Sequence, residues 1–517
     1  MAPTLLHGFL EQAFRQPQAP AFACGTGRVS YGDLSRQVRG VAEHLRANGL
    51  APGSRVAMLL PNGPAYAAVL YGIWMAGGVA VPMDPSARTG SVRGRLRHAG
   101  ATWVFAASPV IGIDAGVRVV TLGAPDTPTP WTAAQAPGDQ SIPVRWGHTG
   151  RLPRSDALAV ISYTSGTTGR PKGVMLSHAN LASNARAIAA YLDLGPGERA
   201  LATLPFHYAY GASVLNSHLA AGGCLVVGET LVYPERLLAR IQRERVTGLP
   251  GVPSTFALLA PHLRDTSHDL RCLRYATQAG GPMAPELVRA VSRRLPWLRF
   301  FVMYGQTEAT ARLSYLPPHR FADKPGSAGV PVADTVLEVR DRAGGRLPAG
   351  RVGEIWARGP GIMRGYWRDP EASADVLRDG WLRTGDLGWM DAEGFLYLRG
   401  SRSQLIKVGA QRVSPEEVEE VLARLPYVAE AAVIGIADKV LGQVVGAVIV
   451  PRPGAAVEPR EVQRHCLEHL ARHKVPRYVR VAAALPRTAS GKLRRHVLAR
   501  GIEQAGPAVK SQQGRAL

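Results

Sequence analysis

The stretch of sequence that decides the fold is Tyr163-Thr-Ser-Gly-Thr-Thr-Gly-Arg-Pro-Lys-Gly-Val174, which holds four Ser or Thr side chains, three glycines and one lysine. An apolar run at 157–161 precedes it and predicts a short buried strand, and a helical apolar pattern from Leu181 to Leu192 follows it. Such a segment suits polyphosphate, because glycine lets backbone N–H groups approach the oxygens, hydroxyls add donors and lysine supplies charge.

Composition bounds the class of protein. The chain has 517 residues, of which 46% are hydrophobic and 19% charged, so we expect a globular protein with two or more domains. Its four cysteines form no C-x-x-C pair, which fits a reducing, cytoplasmic location. The first residues lack a basic start followed by a long apolar core, so no signal peptide is expected. Glycine and proline interrupt the longest uncharged stretch, 65–83, and this predicts a buried helix and strand instead of a membrane span.

The net charge of +22 raises the question of nucleic acid. Only seven of the 61 basic residues are lysines, and the arginines are spread along the chain without a basic run interleaved with aromatics. A general preference for arginine is the favoured cause, and an anionic partner such as ATP, CoA or an acidic carrier protein comes second. We therefore expect no nucleic-acid partner, although charge alone leaves that function open as an alternative.

Alternating helical and strand patterns predict the fold class. Predicted helices begin at Tyr31 and span 64–75 and 285–295, and predicted strands span 55–60, 78–83, 201–204 and 299–303. This alternation predicts parallel, helix-covered sheets. Beyond residue 400, helices at 415–425 and 459–471 alternate with strands at 429–435, 444–450 and 478–483. We predict an α/β protein with a large N-terminal domain, residues 1–399, and a smaller C-terminal α+β domain, residues 400–517.

The glycine-rich stretch is not the Walker sequence G-x-x-x-x-G-K-[ST], because Lys172 is followed by glycine. A Gly/Ser/Thr cluster alone would also suit a solvated loop. The string Y-T-S-G-T-T-G-R-P-K-G-V instead resembles the phosphate loop of the ANL superfamily, whose acyl-CoA synthetases, luciferases and peptide-synthetase adenylation domains form acyl adenylates from ATP. The resemblance covers about residues 10–500. It implies that the β- and γ-phosphates are held by Thr164, Ser165, Gly166, Thr167, Thr168, Gly169 and Lys172.

Three more segments resemble nucleotide motifs of this superfamily. Tyr304-Gly-Gln-Thr-Glu308 resembles Y-G-x-T-E, which implies that Tyr304 and Gly305 border adenine, Thr307 reaches the α-phosphate and Glu308 holds Mg²⁺ with ATP. Gln278-Ala-Gly-Gly-Pro282 resembles the adenine-lining S-G-G-A-P turn, which implies contacts from Gln278, Ala279 and Gly280. Asp386 is the last residue of a segment that resembles the superfamily's T-G-D motif. This implies that its carboxylate oxygens accept hydrogen bonds from the two ribose hydroxyls. An ordinary core tyrosine and a capping aspartate are the structural alternatives for Tyr304 and Asp386.

Two segments resemble motifs for the reacting groups. Pro486-Arg-Thr-Ala-Ser-Gly-Lys492 resembles P-x-x-x-x-G-K, which implies that Lys492, on a mobile C-terminal domain, bridges the incoming carboxylate and the α-phosphate. Pro205-Phe-His-Tyr-Ala-Tyr-Gly211 resembles the P-F-H-x-x-[FY]-G stretch of the CoA-ligase and luciferase branches. It implies that His207 lies where carboxylate and thiol meet, with a structural histidine as the alternative. The aspartate that pairs with an α-ammonium in peptide synthetases is missing here, which disfavours an α-amino acid substrate.

The resemblance is poorest at the expected interdomain hinge, Gly400-Ser-Arg-Ser-Gln-Leu-Ile-Lys407. The superfamily pattern is G-R-x-[DK]-x-x-I-K, so Ser401 stands where an ATP-contacting arginine is expected, with Arg402 next door as its substitute. Ser403 replaces a charged residue, and Ala410 stands where a glycine lines the pantetheine tunnel. These positions serve the second half-reaction, after the small domain rotates. Adenylation is therefore better supported than thioester formation.

The resemblance implies an acid–thiol ligase. It would activate a carboxylic acid with Mg·ATP, release pyrophosphate and pass the acyl group to the phosphopantetheine thiol of CoA or of an acyl carrier protein. A ligase that loads only a carrier protein and a catalytically silent nucleotide- or acyl-binding homologue are the alternatives. Gly211, Ser213 and 278–281 are expected to border the acyl pocket, but they do not identify the acid. His465, His469 and His473 share a helix face, which favours a solvated polar face over a zinc site.

Overall fold

The computed structural model describes residues 4–25, 27–87, 89–110, 112–113, 116–122, 152–164, 172–228, 233–263, 266–281, 283–401, 406–408, 411–438, 441–470, 472–487, 493–495 and 497–499. The chain divides into two compact units. The first comprises Met1–Leu337 and Trp356–Thr384, and the second comprises Glu338–Ile355 and Gly385–Leu517. The two domains predicted from sequence, 1–399 and 400–517, stay a prediction.

Helices and strands alternate along most of this part of the chain. The α-helices are α1 (Leu5–Arg15), α2 (Tyr31–Ala47), α3 (Pro64–Met75), α4 (Thr89–Ala99), α5 (His178–Leu192), α6 (Ala209–Ala221), α7 (Pro234–Arg243), α8 (Pro253–His262), α9 (Pro285–Arg294), α10 (Pro370–Val376), α11 (Pro415–Leu422) and α12 (Pro459–His469). The strands are β1 (Pro20–Cys24), β2 (Gly27–Ser30), β3 (Arg55–Leu59), β4 (Val79–Pro82), β5 (Ala101–Ala106), β6 (Arg118–Thr121), β7 (Leu158–Thr164), β8 (Lys172–Ser177), β9 (Arg199–Leu201), β10 (Cys224–Val227), β11 (Gly248–Gly251), β12 (Tyr275–Gln278), β13 (Arg299–Tyr304), β14 (Ser314–Leu316), β15 (Val330–Pro331), β16 (Val336–Arg340), β17 (Gly353–Arg358), β18 (Leu377–Arg378), β19 (Trp381–Met390), β20 (Leu396–Ser401), β21 (Ile406–Val408), β22 (Gln411–Val413), β23 (Val428–Asp438), β24 (Gly442–Pro451) and β25 (Tyr478–Val481).

A nine-stranded sheet of the first unit has the order β15-β14-β13-β12-β11-β9-β10-β1-β2. The strands from β13 to β1 run parallel, and antiparallel β2, β14 and β15 close the two edges. Apolar side chains of α7, α8 and α9 cover one face, among them Ile241, Leu259 and Val288. The predicted α/β class with helix-covered parallel sheets is confirmed.

A six-stranded sheet with the order β6-β5-β3-β4-β7-β8 completes the large sheets of the first unit. It is parallel except for β7 and β8, which form an antiparallel hairpin. The sequence predicted that the glycine-rich loop leads from a strand into a helix. The structure places a second strand, β8, before α5, so the loop joins two neighbouring strands.

The uncharged stretch 65–83 forms α3 and β4, as predicted. Helix α3 is buried along almost its whole length and packs on α2. Gly72 permits this approach, because a Cβ there would lie 2.6 Å from the Cβ of Val41. No helix among the described residues is long and apolar enough to cross a membrane.

The predicted strand 201–204 is displaced: β9 spans Arg199–Leu201. The Asn62 side-chain amide donates to the carbonyl oxygens of Ala202 and Leu204, at 3.1 and 2.8 Å. These side-chain hydrogen bonds engage both carbonyl groups, while the Ala202 amide still donates to the Val226 carbonyl at 2.8 Å. The chain then leaves the sheet toward Pro205.

A five-stranded sheet has the order β16-β17-β19-β18, with β20 paired to β19. In the second unit a further sheet has the order β22-β21-β24-β23, with β25 paired to β24. Val418 and Leu422 of α11 and Val462 and Cys466 of α12 pack on this sheet. The predicted α+β character of the C-terminal part is confirmed, although α11 ends at Leu422 and not at Leu425.

Candidate active site

Three sequence motifs follow the carboxyl ends of parallel strands. His207 follows β9, Gln278 ends β12 and Tyr304 ends β13. Since β9, β11, β12 and β13 are neighbours in one parallel sheet, these ends lie at one edge. Ligands of open α/β sheets bind outside the carboxyl ends of the strands. The structure therefore brings the segments of His207, Gln278 and Tyr304 to one edge of this sheet.

The hairpin of β7 and β8 holds the two ends of the phosphate loop. Thr164 and Lys172 face each other as its last cross-strand pair, while Ser165, Gly166, Thr167, Thr168 and Gly169 lie outside the described residues. The Tyr163 hydroxyl lies 2.7 Å from Nδ1 of His98 in α4. Burial raises the pKa of Tyr163 to about 12, so the phenol keeps its proton at neutral pH. Tyr163 thus anchors the hairpin, and the loop ends have a fixed separation.

Residues 364–367, which include Tyr366, run beside β8. The Trp367 amide donates to the Gly173 carbonyl at 2.7 Å, and the Met175 amide donates to the Gly365 carbonyl at 3.0 Å. The ammonium nitrogen of Lys172 lies 4.8 Å from the centre of the Tyr366 ring. Sequence reasoning missed Tyr366. The local signal was a glycine before two aromatics, because Gly365 has φ +131° and a Cβ there would lie 2.9 Å from the Ser373 hydroxyl.

Glu308 of the predicted metal motif lies on the other side of Tyr366. The Tyr366 hydroxyl donates to Oε1 of Glu308 at 3.0 Å, and the Met363 amide donates to the Glu308 carbonyl at 2.8 Å. Burial and the negative charge of Glu308 raise the pKa of Tyr366, so its hydroxyl remains a donor. Glu308 makes no ion pair within the described part of the chain. A half-buried carboxylate without a cationic side chain fits a divalent cation.

The turn after β13 is tightly wound. A Cβ on Gly305 would lie 1.8 Å from the Ala311 carbonyl oxygen, so only glycine fits there. Thr307–Ala309 forms a short 3₁₀ turn, and Thr310 and Ala311 then adopt φ +55° and +98°. Positive φ at residues with a side chain stores strain and concentrates at functional sites. Tyr304 is buried, with 7% of its surface exposed.

Side chains of helix α5 form hydrogen bonds both to the turn after β13 and to the backbone at 360–362, which leads to Tyr366. Its N-terminus has a capping box in which Ser177 and Asn180 exchange side-chain-to-backbone hydrogen bonds. The Asn180 amide also donates to the carbonyls of Pro360 and Ile362, at 2.7 and 2.9 Å. One helical turn later the Asn184 amide donates to the Arg312 carbonyl at 2.9 Å. The helix therefore positions the backbone on two sides of the site.

His207 lines a small cavity of about 40 Å³ together with Tyr66, Trp74, Ser162, Asn184 and Thr310. Its Nε2 is buried without a hydrogen-bond partner among the described residues. Burial lowers the pKa of His207 to about 4, although the negative charge of Asp84 acts to raise it. The imidazole is therefore neutral at pH 7, and it can act there through hydrogen bonds but not through a positive charge.

The turn after β12 contains the predicted adenine-lining residues. Gly280 has φ +90°, in the left-handed region, and the Gln278 side chain donates to the Gly281 carbonyl at 2.7 Å. Oε1 of Gln278 is buried without a partner among the described residues, which leaves an acceptor for a ligand. The methyl group of Ala279 packs in an apolar cluster, so this residue can offer a ligand only its backbone.

The remaining predicted site residues lie elsewhere or are not described. Asp386 lies in the second unit, on β19, and pairs with Ser401 of β20. Arg402, Ser403, Ala410 and Lys492 lie outside the described residues. Their predicted roles stay predictions.

The histidine-rich face of α12 brings ligand atoms of His465, Glu468 and His469 within 4.8 Å of one another. His473 of the alternative zinc site is not in this group. Nε2 of His465 already lies 3.1 Å from the Val421 carbonyl, and Nδ1 of His469 lies 2.8 Å from the His465 carbonyl. These contacts suit the favoured interpretation, a polar helix face.

Comparison with known proteins identifies the family. Residues 9–367 match the model of the AMP-binding enzyme family, and residues 417–492 match that of the AMP-binding enzyme C-terminal domain. The chain belongs to the AMP-binding enzymes. The predicted membership of the ANL superfamily of adenylate-forming enzymes is thereby confirmed. This AMP-binding enzyme is an AMP-forming acid–thiol ligase: it uses ATP to activate a carboxylic acid as an acyl adenylate, releases pyrophosphate and transfers the acyl group to a phosphopantetheine thiol.

Relatives of this AMP-binding enzyme resemble it over nearly their whole length. It is 35% identical over 489 residues to a feruloyl-CoA synthase of Amycolatopsis sp, with 94% of this chain and 96% of that protein covered. It is 34% identical over 478 residues to a sulfoacetate–CoA ligase of Cupriavidus necator, with 90% and 91% covered. The O-succinylbenzoate coenzyme A synthetase of Bacillus subtilis, in complex with ATP and magnesium ion, superposes with a TM-score of 0.82 at 29% identity, with 95% and 98% covered.

Proposed function

We propose that the enzyme binds the triphosphate of Mg·ATP between the β7–β8 hairpin and Glu308. The observation that carries this proposal is the arrangement of Lys172, Tyr366 and Glu308, in which one tyrosine touches both a cation and a carboxylate. Lys172 and the loop from Thr164 to Gly169 bind the β- and γ-phosphates. Glu308 holds Mg²⁺, which when bound neutralises charge on the phosphates and on the departing pyrophosphate.

The adenosine part is assigned to the neighbouring strand ends. Tyr304 and Gly305 border the adenine, as does the turn formed by Gln278, Ala279 and Gly280. The unpartnered Oε1 of Gln278 supports this, because an acceptor there suits the amino group of adenine. Asp386 accepts the hydrogen bonds of both ribose hydroxyls, and Arg402 takes the place of the hinge arginine.

In the first half-reaction an oxygen of the substrate carboxylate attacks the α-phosphorus of ATP, and the bond to pyrophosphate breaks. Two anions meet in this step, so a cation between them lowers the barrier. We assign that role to Lys492, with Thr307 as a donor to the α-phosphate. His207 is neutral and orients the carboxylate through a hydrogen bond from its ring, which its low pKa permits at pH 7.

We propose CoA as the thiol acceptor. Support comes from the relatives above, which are named as CoA ligases or synthetases and match over more than nine-tenths of their length. A carrier protein is the second candidate, and the departures at Ser401, Ser403 and Ala410 favour it, because these positions serve thioester formation in the superfamily. The relatives act on chemically different acids, namely ferulate, sulfoacetate and O-succinylbenzoate.

Carboxylate-dependent ATP–pyrophosphate exchange tests the proposal. A panel of aromatic, aliphatic and acid-substituted carboxylic acids is offered with labelled pyrophosphate and Mg·ATP. Exchange with at least one acid, and its loss when magnesium is chelated, are expected. No exchange with any acid would overturn adenylation by this chain. Adding CoA, or a phosphopantetheinylated carrier protein, to the active acid then identifies the acceptor by the thioester that forms.

A further inference from the structure

Arg312 is a buried arginine directly beside the nucleotide motif. It follows the turn after β13, and only 3% of its surface is exposed. A Cβ on Gly305 would lie 3.0 Å from the Arg312 Cα, so its backbone packs against the Tyr304–Glu308 motif. Its side chain reaches the Pro205–Gly211 motif, because its guanidinium carbon lies 5.0 Å from the centre of the Tyr210 ring.

No carboxylate among the described residues pairs with the guanidinium of Arg312. Arg312 makes no ion pair with any described residue, and its Nε is buried without a hydrogen-bond partner there. Arg240 differs in its ion pair: it is equally buried, with 2% exposed, and its Nε and Nη2 also lack partners among the described residues, but its Nη1 lies 3.7 Å from the Glu244 carboxylate. Burying an unpaired charge destabilises a fold. An unpaired buried guanidinium therefore indicates a site where a bound ligand supplies the opposite charge.

Two tyrosine side chains, Tyr191 and Tyr210, lie beside this guanidinium. Tyr191 stacks on Tyr315 with ring centres 4.1 Å apart, and its hydroxyl lies 3.2 Å from the sulfur of Met303. Burial raises the pKa values of Tyr191 and Tyr210 while the charge of Arg312 acts to lower them, which places the guanidinium near both hydroxyls. Ring faces attract a cation but do not accept its in-plane N–H groups. The Tyr191 hydroxyl accepts a hydrogen bond from the guanidinium, and Nε remains as a donor for a planar anion.

The motifs and side chains around Arg312 indicate which kind of anion it binds. The Tyr210 hydroxyl bonds to Thr277 at 2.8 Å, one residue before the Gln278 turn, so three motif segments meet around Arg312. The triphosphate has its own cation in Lys172, the first residue of β8. Arg312 instead lies beside Tyr191 and Tyr210, which pack against an apolar cluster that contains Met303, and such surroundings suit an acyl group. Resting on the proposed adenylation, we propose that Arg312 binds a second acidic group, a carboxylate or sulfonate, on the acyl substrate. The substrates are therefore acids that carry another anionic group.

Matched substrate pairs test this inference. ATP–pyrophosphate exchange is measured for acids of equal chain length that end in a carboxylate, a sulfonate or a methyl group. The wild-type enzyme should favour an anionic member over its methyl partner by about tenfold or more in kcat/KM, since a hydrogen bond to a charged group contributes about 1.5–3 kcal/mol. Arg312→Gln should lower kcat/KM for that anionic acid about 10- to 100-fold and leave the methyl partner within about threefold.

Two further measurements separate recognition from folding. Arg289→Gln removes an exposed arginine paired with Glu286 and should leave both substrates unchanged. Arg312→Gln removes an unpaired buried charge, so its melting temperature should equal or exceed that of the wild type. The anionic acid should raise the melting temperature of the wild type but not of this variant.

The outcomes are distinct. A wild-type enzyme that exchanges methyl-ended acids as well as their anionic partners overturns the role of Arg312 but leaves adenylation standing. Equal losses on both partners in Arg312→Gln make the residue structural and also overturn it. Absence of exchange with every acid overturns adenylation itself, and the inference with it.

Discussion

Tyr366 is the residue that joins the opposite charges of the site, since its ring lies under Lys172 and its hydroxyl donates to Glu308. Tyr366→Phe keeps the ring and removes the donor. We expect about a tenfold higher KM for Mg·ATP, because a hydrogen bond to a charged group contributes about 1.5–3 kcal/mol. Half-saturation in magnesium should also move to higher concentration. Pyrophosphate exchange at several magnesium concentrations measures both.

Tyr427→Phe is the matched control for this change. The Tyr427 hydroxyl is buried without a partner among the described residues, so its removal should leave the magnesium dependence as it is. An unchanged KM and magnesium dependence in Tyr366→Phe would show that the hydroxyl has no part in cation binding.

At the scale of elements, the turn after β13 must keep its winding for the site to form. In Gly305→Ala the new Cβ meets a backbone oxygen at 1.8 Å, so the turn has to move as a whole. We expect pyrophosphate exchange to fall about 100-fold, since displacement of about 1 Å can cost that much. Gly195→Ala, where a Cβ meets nothing within 4 Å, is the control. Near-normal exchange in Gly305→Ala would contradict the assigned role of the turn.

Some elements were predictable from sequence because one local pattern decides them. The predicted helix at 64–75 is α3 to the residue, since Pro64 suits the first helical turn and the segment is apolar throughout. Strand β8 was not predicted, because Lys172–Ser177 is held in the sheet by pairing with β7 and by contacts from 364–367. Tyr366 and Arg312 were missed for a similar reason: their importance lies in contacts with residues far away in the sequence.

At the scale of the whole molecule, two buried histidines and one partly buried histidine make stability depend on pH. Burial lowers the pKa values of His178, His207 and His218 to about 4, from an ordinary value of 6.5. Between pH 6.5 and 4 the unfolded chain binds protons that the folded chain does not, so stability falls as the pH decreases through this window. Each histidine contributes about 1.4 kcal/mol per pH unit there. The first unit should therefore melt at markedly lower temperature at pH 5 than at pH 7.

The variant His178→Gln isolates one of these groups. Its melting temperature should change less between pH 7 and pH 5 than that of the wild type, whatever its value at pH 7. His319→Gln removes an exposed histidine and should keep the wild-type slope. Identical slopes in the wild type and His178→Gln would contradict burial as the cause.

The second unit is proposed to supply the cation for the chemical step. Lys492→Ala should abolish pyrophosphate exchange while ATP still binds, as measured by calorimetry. Lys474→Ala is the control from the same unit, because Lys474 pairs with the Glu417 carboxylate at 2.6 Å and has a structural role. A normal exchange rate in Lys492→Ala would remove this residue from the mechanism.

Helix α5 gives the first unit a mechanical property. Its Asn180 and Asn184 hold the backbone at 360–362 and at Arg312, so neither stretch can open without breaking hydrogen bonds to the same helix. Such segments form one cooperative opening unit, and their amides share one opening free energy in hydrogen exchange. A ligand that touches only one side of the site should therefore slow amide hydrogen exchange equally on both sides. Binding at either side thus stabilises the whole site.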